Sequence, residues 1–553
     1  MRVATSSIYN LGVFNMNNRQ VDLFKLQNQL STGRKILTPS DDPVSSARSL
    51  DLTQATRQNE QYVTNVKYAN DTMALTEANL QHAIGVIQDI QQLAVQSGAT
   101  TLTNAEKRMV EADIRGKYQE LLGLANTTDG NGLYLFAGFK GDTKPFNEQG
   151  YGNVRYDGDQ GQRAVQVSPS RQIPVSDSGS DIFVKIKNGN GTFTTAQTQP
   201  ELPRTVRVGD GGSIQFSRDP AGGFVASDYR VDWDSVSGNY TITRADGATT
   251  VASHAALVGG VSALGMVITA QGNQPTAVNG TATFDAKLQA NGGTGVVSPG
   301  VVADPVKWAN PLNNQNYRVQ FHSVPDPNNP AKMLTSYDII DNDTASANYN
   351  TSLIDGWNYT TSTASAANPT ATRTDSAGNP NSFPRKYTAG ADIIFAQQTG
   401  ETGALYPGWD FGGKISVDGV PKDGDSFSLE ASRDYDLFST IGDFSAALER
   451  YEETNLGGAT FQNKLNTTLS NLDNALTRIL TIQAGIGSRQ KEGESVQSTN
   501  EDLNVQYKTT ISKLTDLDYA QAISDFTQTQ TYLDAARKSF SSIQNLSLFQ
   551  YIS

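Results

Sequence analysis

The chain contains no cysteine. That excludes disulfides, thiolate metal sites and a cysteine nucleophile. Histidine is nearly absent too, with three among 553 residues. His82 falls inside a helical pattern and off its apolar seam, while His254 and His322 stand outside any HExxH or paired-histidine spacing. There is no GxSxG elbow and no Walker loop. The acidic run Asp338–Ile–Ile–Asp341–Asn342–Asp343 is faintly like a calcium loop, but lacks the glycine and closing glutamate of an EF-hand. Long apolar runs are missing, so no helical membrane span is expected. The first ten residues have no apolar core, so no cleaved secretory signal is expected. A formal charge of −13 leaves little basic surface for phosphates, which argues against a nucleic-acid partner. No catalytic residue, cofactor site or metal ligand set emerges, and the residues point away from an enzyme.

The next scarcity is local. Residues 1–140 hold two prolines, 441–553 hold none, and the middle holds the other eighteen of the 20. The middle also carries 34 of the 49 glycines and all four tryptophans, Trp233, Trp308, Trp357 and Trp409. Proline and glycine interrupt helices, so both ends are free to form long ones. The middle, rich in Gly, Asn, Thr and Pro, reads as short strands and turns. The expected fold is α+β and multidomain: a long antiparallel coiled-coil or helical bundle built from both chain ends, with β-rich domains inserted between them.

Periodicity supports this. Tyr62, Val66, Ala69, Met73, Thr76, Leu80, Ala83, Ile87, Ile90 and Ala94 keep strict 4,3 spacing, the coiled-coil period. The C-terminal arm answers with Phe461, Leu465, Thr468, Leu472, Ala475, Ile479, Ile482 and Ile486, then Val496, Leu503, Tyr507 and Leu514. Alanine and threonine weaken this seam, so a third helix or a neighbouring chain is expected to complete it. One such helix is predicted over Asn104–Asn126, with Val110, Ile114, Leu121 and Ala125 on one face and capping-box spacing at Thr103 and Glu106.

Both extreme ends carry a further stripe: Leu11, Met16, Leu23 and Leu30 at one end, Phe526, Leu533, Phe540 and Ile543 at the other. The surrounding residues are polar but weakly charged, and such helices are marginal alone. We expect them to order on assembly. Gly132–Gly138 reads as a short aromatic strand after the turn Asp129–Gly–Asn–Gly132. In the middle, strands are expected over Asp181–Ile186, Gly191–Thr195, Asn239–Arg244, Tyr317–Phe321 and Lys414–Val417. Thr360–Asn368 reads as a loop or linker.

Certain segments carry a family resemblance. Leu30–Ser–Thr–Gly–Arg–Lys35 followed by Thr38–Pro–Ser–Asp–Asp–Pro43 resembles the N-terminal signature of flagellin-like axial proteins, in particular their hook-associated protein 3 branch. Gln58–Asn–Glu–Gln–Tyr62, Leu93–Ala–Val–Gln96, Leu124–Ala–Asn126, Tyr134–Leu–Phe–Ala–Gly138, Asp423–Gly–Asp–Ser–Phe427 and Leu546–Ser–Leu–Phe549 are similar to that branch as well. Flagellins proper more often have an Ala/Gly-rich stretch where this chain has Pro43–Val–Ser–Ser. The resemblance covers residues 1–140 and 420–553.

It implies an inner helical layer (1–43 with 515–553), a helical bundle with a β-hairpin (44–145 with 435–514), and an outer β-rich region (146–434), whose length of about 290 residues suggests two small domains divided near 280–305. Asp41, Asp42 and Pro43 would set the bend between the helical layers. Implied partners are identical subunits in a ring, a hook-associated protein on the hook side, flagellin on the filament side, and a cytoplasmic export chaperone. Implied too is an extracellular place on the flagellum, reached by type III export without a cleaved signal. The competing readings are a filament-forming flagellin and an adhesin or glycan-binding role for the tryptophan-bearing middle.

Overall fold

A computed structural model describes residues 5–549 except 100, 198–203, 208–212, 219–227, 245–246, 265, 272–273, 275–279, 286–290, 327–328, 360–372, 374–381, 404 and 452. The Thr360–Asn368 run lies outside the described residues. Six helices form the arms: α1 (Thr5–Thr32), α2 (Pro43–Ser97), α3 (Asn104–Ala125), α4 (Leu437–Glu449), α5 (Asn455–Thr515) and α6 (Tyr519–Phe549). None is long and apolar enough to cross a membrane. The chain divides into two compact units.

The first unit comprises Met1–Ala74, Ala164–Val175 and Ile486–Ser553. Helices α1 and α6 pack against each other here. The seam residues Tyr62, Val66, Ala69, Met73 and Ile486 are buried. Among the described residues no third helix lies over them; a hairpin, Ala164–Ser168 with Arg171–Pro174, takes that place and buries Val167 and Ile173. Asparagines fix it: Asn65 Nδ2 donates to the Gln166 carbonyl (2.8 Å) and Asn500 Nδ2 to that of Val167 (3.0 Å).

The second unit comprises Leu75–Arg163 and Ser176–Gly485. Thr76, Leu80, Ala83, Ile87, Ile90 and Ala94 are all buried, as are Leu465, Thr468, Leu472, Ala475 and Ile479. Helix α3 is the third helix, with Val110, Ile114, Leu121 and Ala125 inward and the Thr103/Glu106 capping box formed. The Lys107 ammonium sits over the Tyr451 and Phe461 rings at 4.2 and 4.3 Å, and burial lowers its pKa.

Two expected strands are absent from this unit. Gly132–Gly138 has a single bridge, Thr128 to Tyr134. Its backbone groups go to scattered partners instead: Tyr134 N–H to Gly141, Leu135 N–H to Thr127, and the Phe136 carbonyl to Gly179 N–H. Positive φ at Gly132 and Gly138 breaks the extension at both ends. Asp181–Ile186 is mostly a helical turn, Ser180–Val184. Ile182 and Phe183 are adjacent and both buried, which a turn permits and an alternating strand does not. Phe183 packs on Phe136, Phe146 and Phe438.

The middle holds two β cores. One joins the sheet 249–253, 239–244, 228–234, 280–285 to the sheet 261–263, 266–271, 213–218, 204–207, around Trp233, Tyr240 and Ile242. The other has a five-stranded sheet, 385–386, 329–341, 316–326, 426–431, 193–197, over strands 392–396 and 410–418. Trp308, Trp409, Phe321 and Phe427 fill it. Phe193–Gln197 belongs to this second core, so the first is nested in it. Asparagines of α5 hold the second core's edges. Asn463 accepts from Val297 N–H (2.7 Å) and donates to the Gly295 carbonyl, while Asn474 donates to Lys187 and Gly189.

Candidate assembly surface

The motif-bearing segment from Leu30 to Pro43 turns the chain from α1 into α2. Gly33 ends α1 in the left-handed region (φ 68°), and its N–H donates to the Gln29 carbonyl. A side chain there is excluded twice, because a Cβ would also lie 2.8 Å from the Tyr519 hydroxyl. Asp41 Oδ2 accepts from the Leu37 and Thr38 N–H groups, and its Oδ1 meets Lys25 Nζ at 2.7 Å. The Lys25 hydrogen bond, reinforced by the backbone donors, holds the Asp41 pKa well below the usual carboxylate range. Asp42 accepts from Ser45 N–H (3.0 Å) as the cap of α2, and Pro43 takes the first helical position, where a missing N–H costs nothing.

The returning strand of chain meets this corner. Lys35 N–H donates to the Thr515 carbonyl (2.7 Å) and Leu517 N–H to that of Gly33 (3.0 Å), around an antiparallel bridge of Arg34 with Asp516. Both passages between helices are thus tied at one point. That tie was not legible in either segment alone, since its partners lie almost 500 residues apart.

Beyond the corner, α1 and α6 run together. Gly12 gives Phe540 room: a Cβ on it would come within 3.0 Å of that ring. Leu533 and Ala522 are buried, and Met16, Leu23, Leu30, Phe526 and Phe540 are half-buried. The side chain of Ile543 lies outside the described residues. Leu11 does not share this covered face; it is 61% exposed. With it, Phe14, Val21 and Phe24 form a second apolar row on α1 that none of the described residues covers. Their 3,7,3 spacing is a helical face, and the sequence reading missed it by following only the stripe of sevens through Met16.

The other candidate residues are occupied structurally. His82 is exposed on α2. His322 is buried, with Nδ1 2.5 Å from Asp423 Oδ1, a pairing not anticipated. Asp338, in the calcium-like run, lies in strand Asn329–Asp341 and engages Arg373 at 2.7 Å, with Tyr359 and Ser352 donating to it. Among the described residues no group of acidic or histidine side chains is placed to hold a metal. Trp233, Trp308 and Trp409 are core residues, not an exposed stacking platform.

Residues 3–140 match the bacterial flagellin N-terminal helical region, and residues 469–552 match the bacterial flagellin C-terminal helical region. The chain is similar to flagellar hook-associated protein 3. It is 36% identical to that of Escherichia coli and 34% to that of Salmonella typhimurium, each over 186 residues, 34% of this chain and 58% of the relative. The chain thus spans less than two thirds of the curated relatives it matches. Its fold is also that of flagellar hook associated protein-3 from Legionella pneumophila (TM-score 0.54, 21% identity, covering 84% of this chain and 98% of that one). A second Legionella pneumophila structure, a flagellar junction protein, gives TM-score 0.53 at 20% identity, covering 85% and 100%.

Proposed function

We propose that this chain is a structural subunit of the bacterial flagellum that joins hook to filament and adapts one to the other. The observation that carries the reading is the uncovered row Leu11, Phe14, Val21 and Phe24 on a terminal helix pair of flagellin type. A monomer gains nothing from such a row, whereas a ring of identical subunits buries it, at roughly 25 cal/mol per Å². The terminal helices order on that packing, because an isolated polar helix is marginal. In this reading a hook-associated protein lies on one side and flagellin on the other. The chain performs no catalysis and reaches the cell exterior through the flagellar type III apparatus, threaded unfolded with no disulfide to break, after a cytoplasmic chaperone has held its C-terminal arm.

The test is a deletion strain. Cells without this chain are expected to keep hooks and shed flagellin monomers into the medium. Full-length filaments on those cells would overturn the reading.

A further inference from the structure

The chain has five Asn–Gly pairs, beginning at Asn131, Asn188, Asn190, Asn279 and Asn291. Asparagine before glycine is chemically labile. Glycine has no side chain to shield its backbone nitrogen, so that nitrogen can attack the preceding carboxamide. The attack needs two freedoms. The carboxamide must rotate until its Cγ faces the next nitrogen, and that nitrogen must leave its hydrogen-bond partner.

Asn279 lies outside the described residues. Three of the other four pairs are held on both counts. Asn188 Oδ1 accepts from Arg433 N–H (2.8 Å), and Gly189 N–H donates to Asn471 Oδ1 (2.8 Å). Asn190 Nδ2 donates to the Gly300 carbonyl (3.2 Å) and its Oδ1 accepts from Thr192 and Phe193 N–H, while Gly191 N–H donates to the Asn188 carbonyl. Asn291 is buried; its Nδ2 donates to the Ser426 carbonyl and its Oδ1 accepts from Ser426 N–H, both at 2.9 Å. Gly292 N–H donates to Asp425 Oδ1 (2.7 Å).

Asn131 differs. Its side chain is exposed, and its carboxamide meets no partner among the described residues. Gly132 N–H donates to the Asp129 carbonyl (3.0 Å), but in a turn whose Gly130, Asn131 and Gly132 all face solvent. Such a bond opens locally at lower cost than the buried ones. Space is open as well, since a Cβ on Gly130 or Gly132 would meet nothing within 4 Å.

We propose that Asn131 is the position at which the folded chain deamidates. Hydroxide takes the Gly132 amide proton, and the nitrogen bonds to Asn131 Cγ. The Cγ–Nδ2 bond breaks, and ammonia leaves with a proton taken from water. The five-membered imide that remains adds water. Opening at Cγ gives aspartate; opening at the backbone carbonyl gives isoaspartate, with one extra atom in the main chain. Either product adds a negative charge near Asp129, whose Oδ1 accepts from Asn131 and Leu133 N–H (2.8 and 2.9 Å). Isoaspartate also lengthens the turn that leads to the buried Leu135 and Phe136. Loss of ammonia makes the change one-way, so the modified fraction marks the age of a copy.

The test holds the purified full chain folded at mildly alkaline pH and follows its peptides by mass spectrometry for conversion of amide to carboxylate. Conversion is expected at Asn131, faster as pH rises, with Asn188, Asn190 and Asn291 unchanged over the same time. In urea those three are expected to convert at rates similar to Asn131. An Asn131 that converts in urea but not in the folded chain would overturn the proposal. So would equal conversion at the three held pairs in the folded chain.

Discussion

Leu533→Asp separates the terminal helix pair from the rest of the molecule. Leu533 is 4% exposed and sits on the covered face of α6. Truncating a buried leucine costs about 2–5 kcal/mol, and an unpaired carboxylate adds a desolvation penalty of similar size. The pair α1 and α6 has little to set against that, because helices of their length are marginal in water without tertiary support. The pair is then expected not to order on assembly, so the far-UV ellipticity that the wild type gains on assembly, the share of a 28-residue and a 31-residue helix, is missing. Tryptophan reports separately: Trp233, Trp308 and Trp409 are buried in the β cores and none lies in the arms. The thermal transition followed by tryptophan emission should stay within about 0.5 kcal/mol of wild type, as for a site in a separate compact unit that shares no partners with the tryptophans. Incorporation into flagella should fail, and Leu533→Ala should fall between the two. Wild-type ellipticity with normal incorporation would refute the reasoning, and so would a joint collapse of the tryptophan transition.

Other outcomes follow from single contacts. Amide exchange in the free chain is expected to be fast across α1 and α6 and slow across the seam of α2; strong protection of Met16–Leu30 in the monomer would contradict ordering on assembly. Asn463→Ala should cost about 1–3 kcal/mol in the tryptophan-detected transition, because the Val297 N–H loses its acceptor in a buried place. Gly442→Ala should cost about 1–3 kcal/mol or more, since its Cβ would lie 2.4 Å from the Gly152 Cα and backbone yields little. The corner should loosen in acid. The Asp41 pKa is lowered in the fold, so its contribution is complete above the ordinary carboxylate value near 4 and is lost as pH falls through the lowered one. Limited proteolysis at residues 33–42 across that range checks this, and Lys25→Ala should bring the onset of cleavage to higher pH.

What was legible in the residues was what local rules control. A 4,3 repeat free of proline forces a long helix with one buried face, and every member from Tyr62 to Ala94 is indeed buried. Asp41, Asp42 and Pro43 read as a bend because proline disfavours helix at the residue before it, whereas the helix end at Gly33 went unread. The misreadings have local causes as well. The aromatic run ending at Gly138 has the composition of a strand, but a strand needs a partner, and its hydrogen bonds went to four separate segments. At Asp181–Ile186 the alternation was too short to distinguish a strand from a helical turn.

The missing cysteine, the proline-poor ends and the heptad spacing were enough to determine two helical arms, a β-rich centre and a chain without thiolate chemistry. Tertiary structure decided the rest. It tied Lys35 to Thr515, nested one β core inside the other, and put Asn463 on the backbone of Val297. It also settled which of two apolar stripes on α1 faces α6 and which is left uncovered. The reason is physical: period and stereochemistry act within a few residues, whereas coverage of a face depends on what the fold brings from hundreds of residues away.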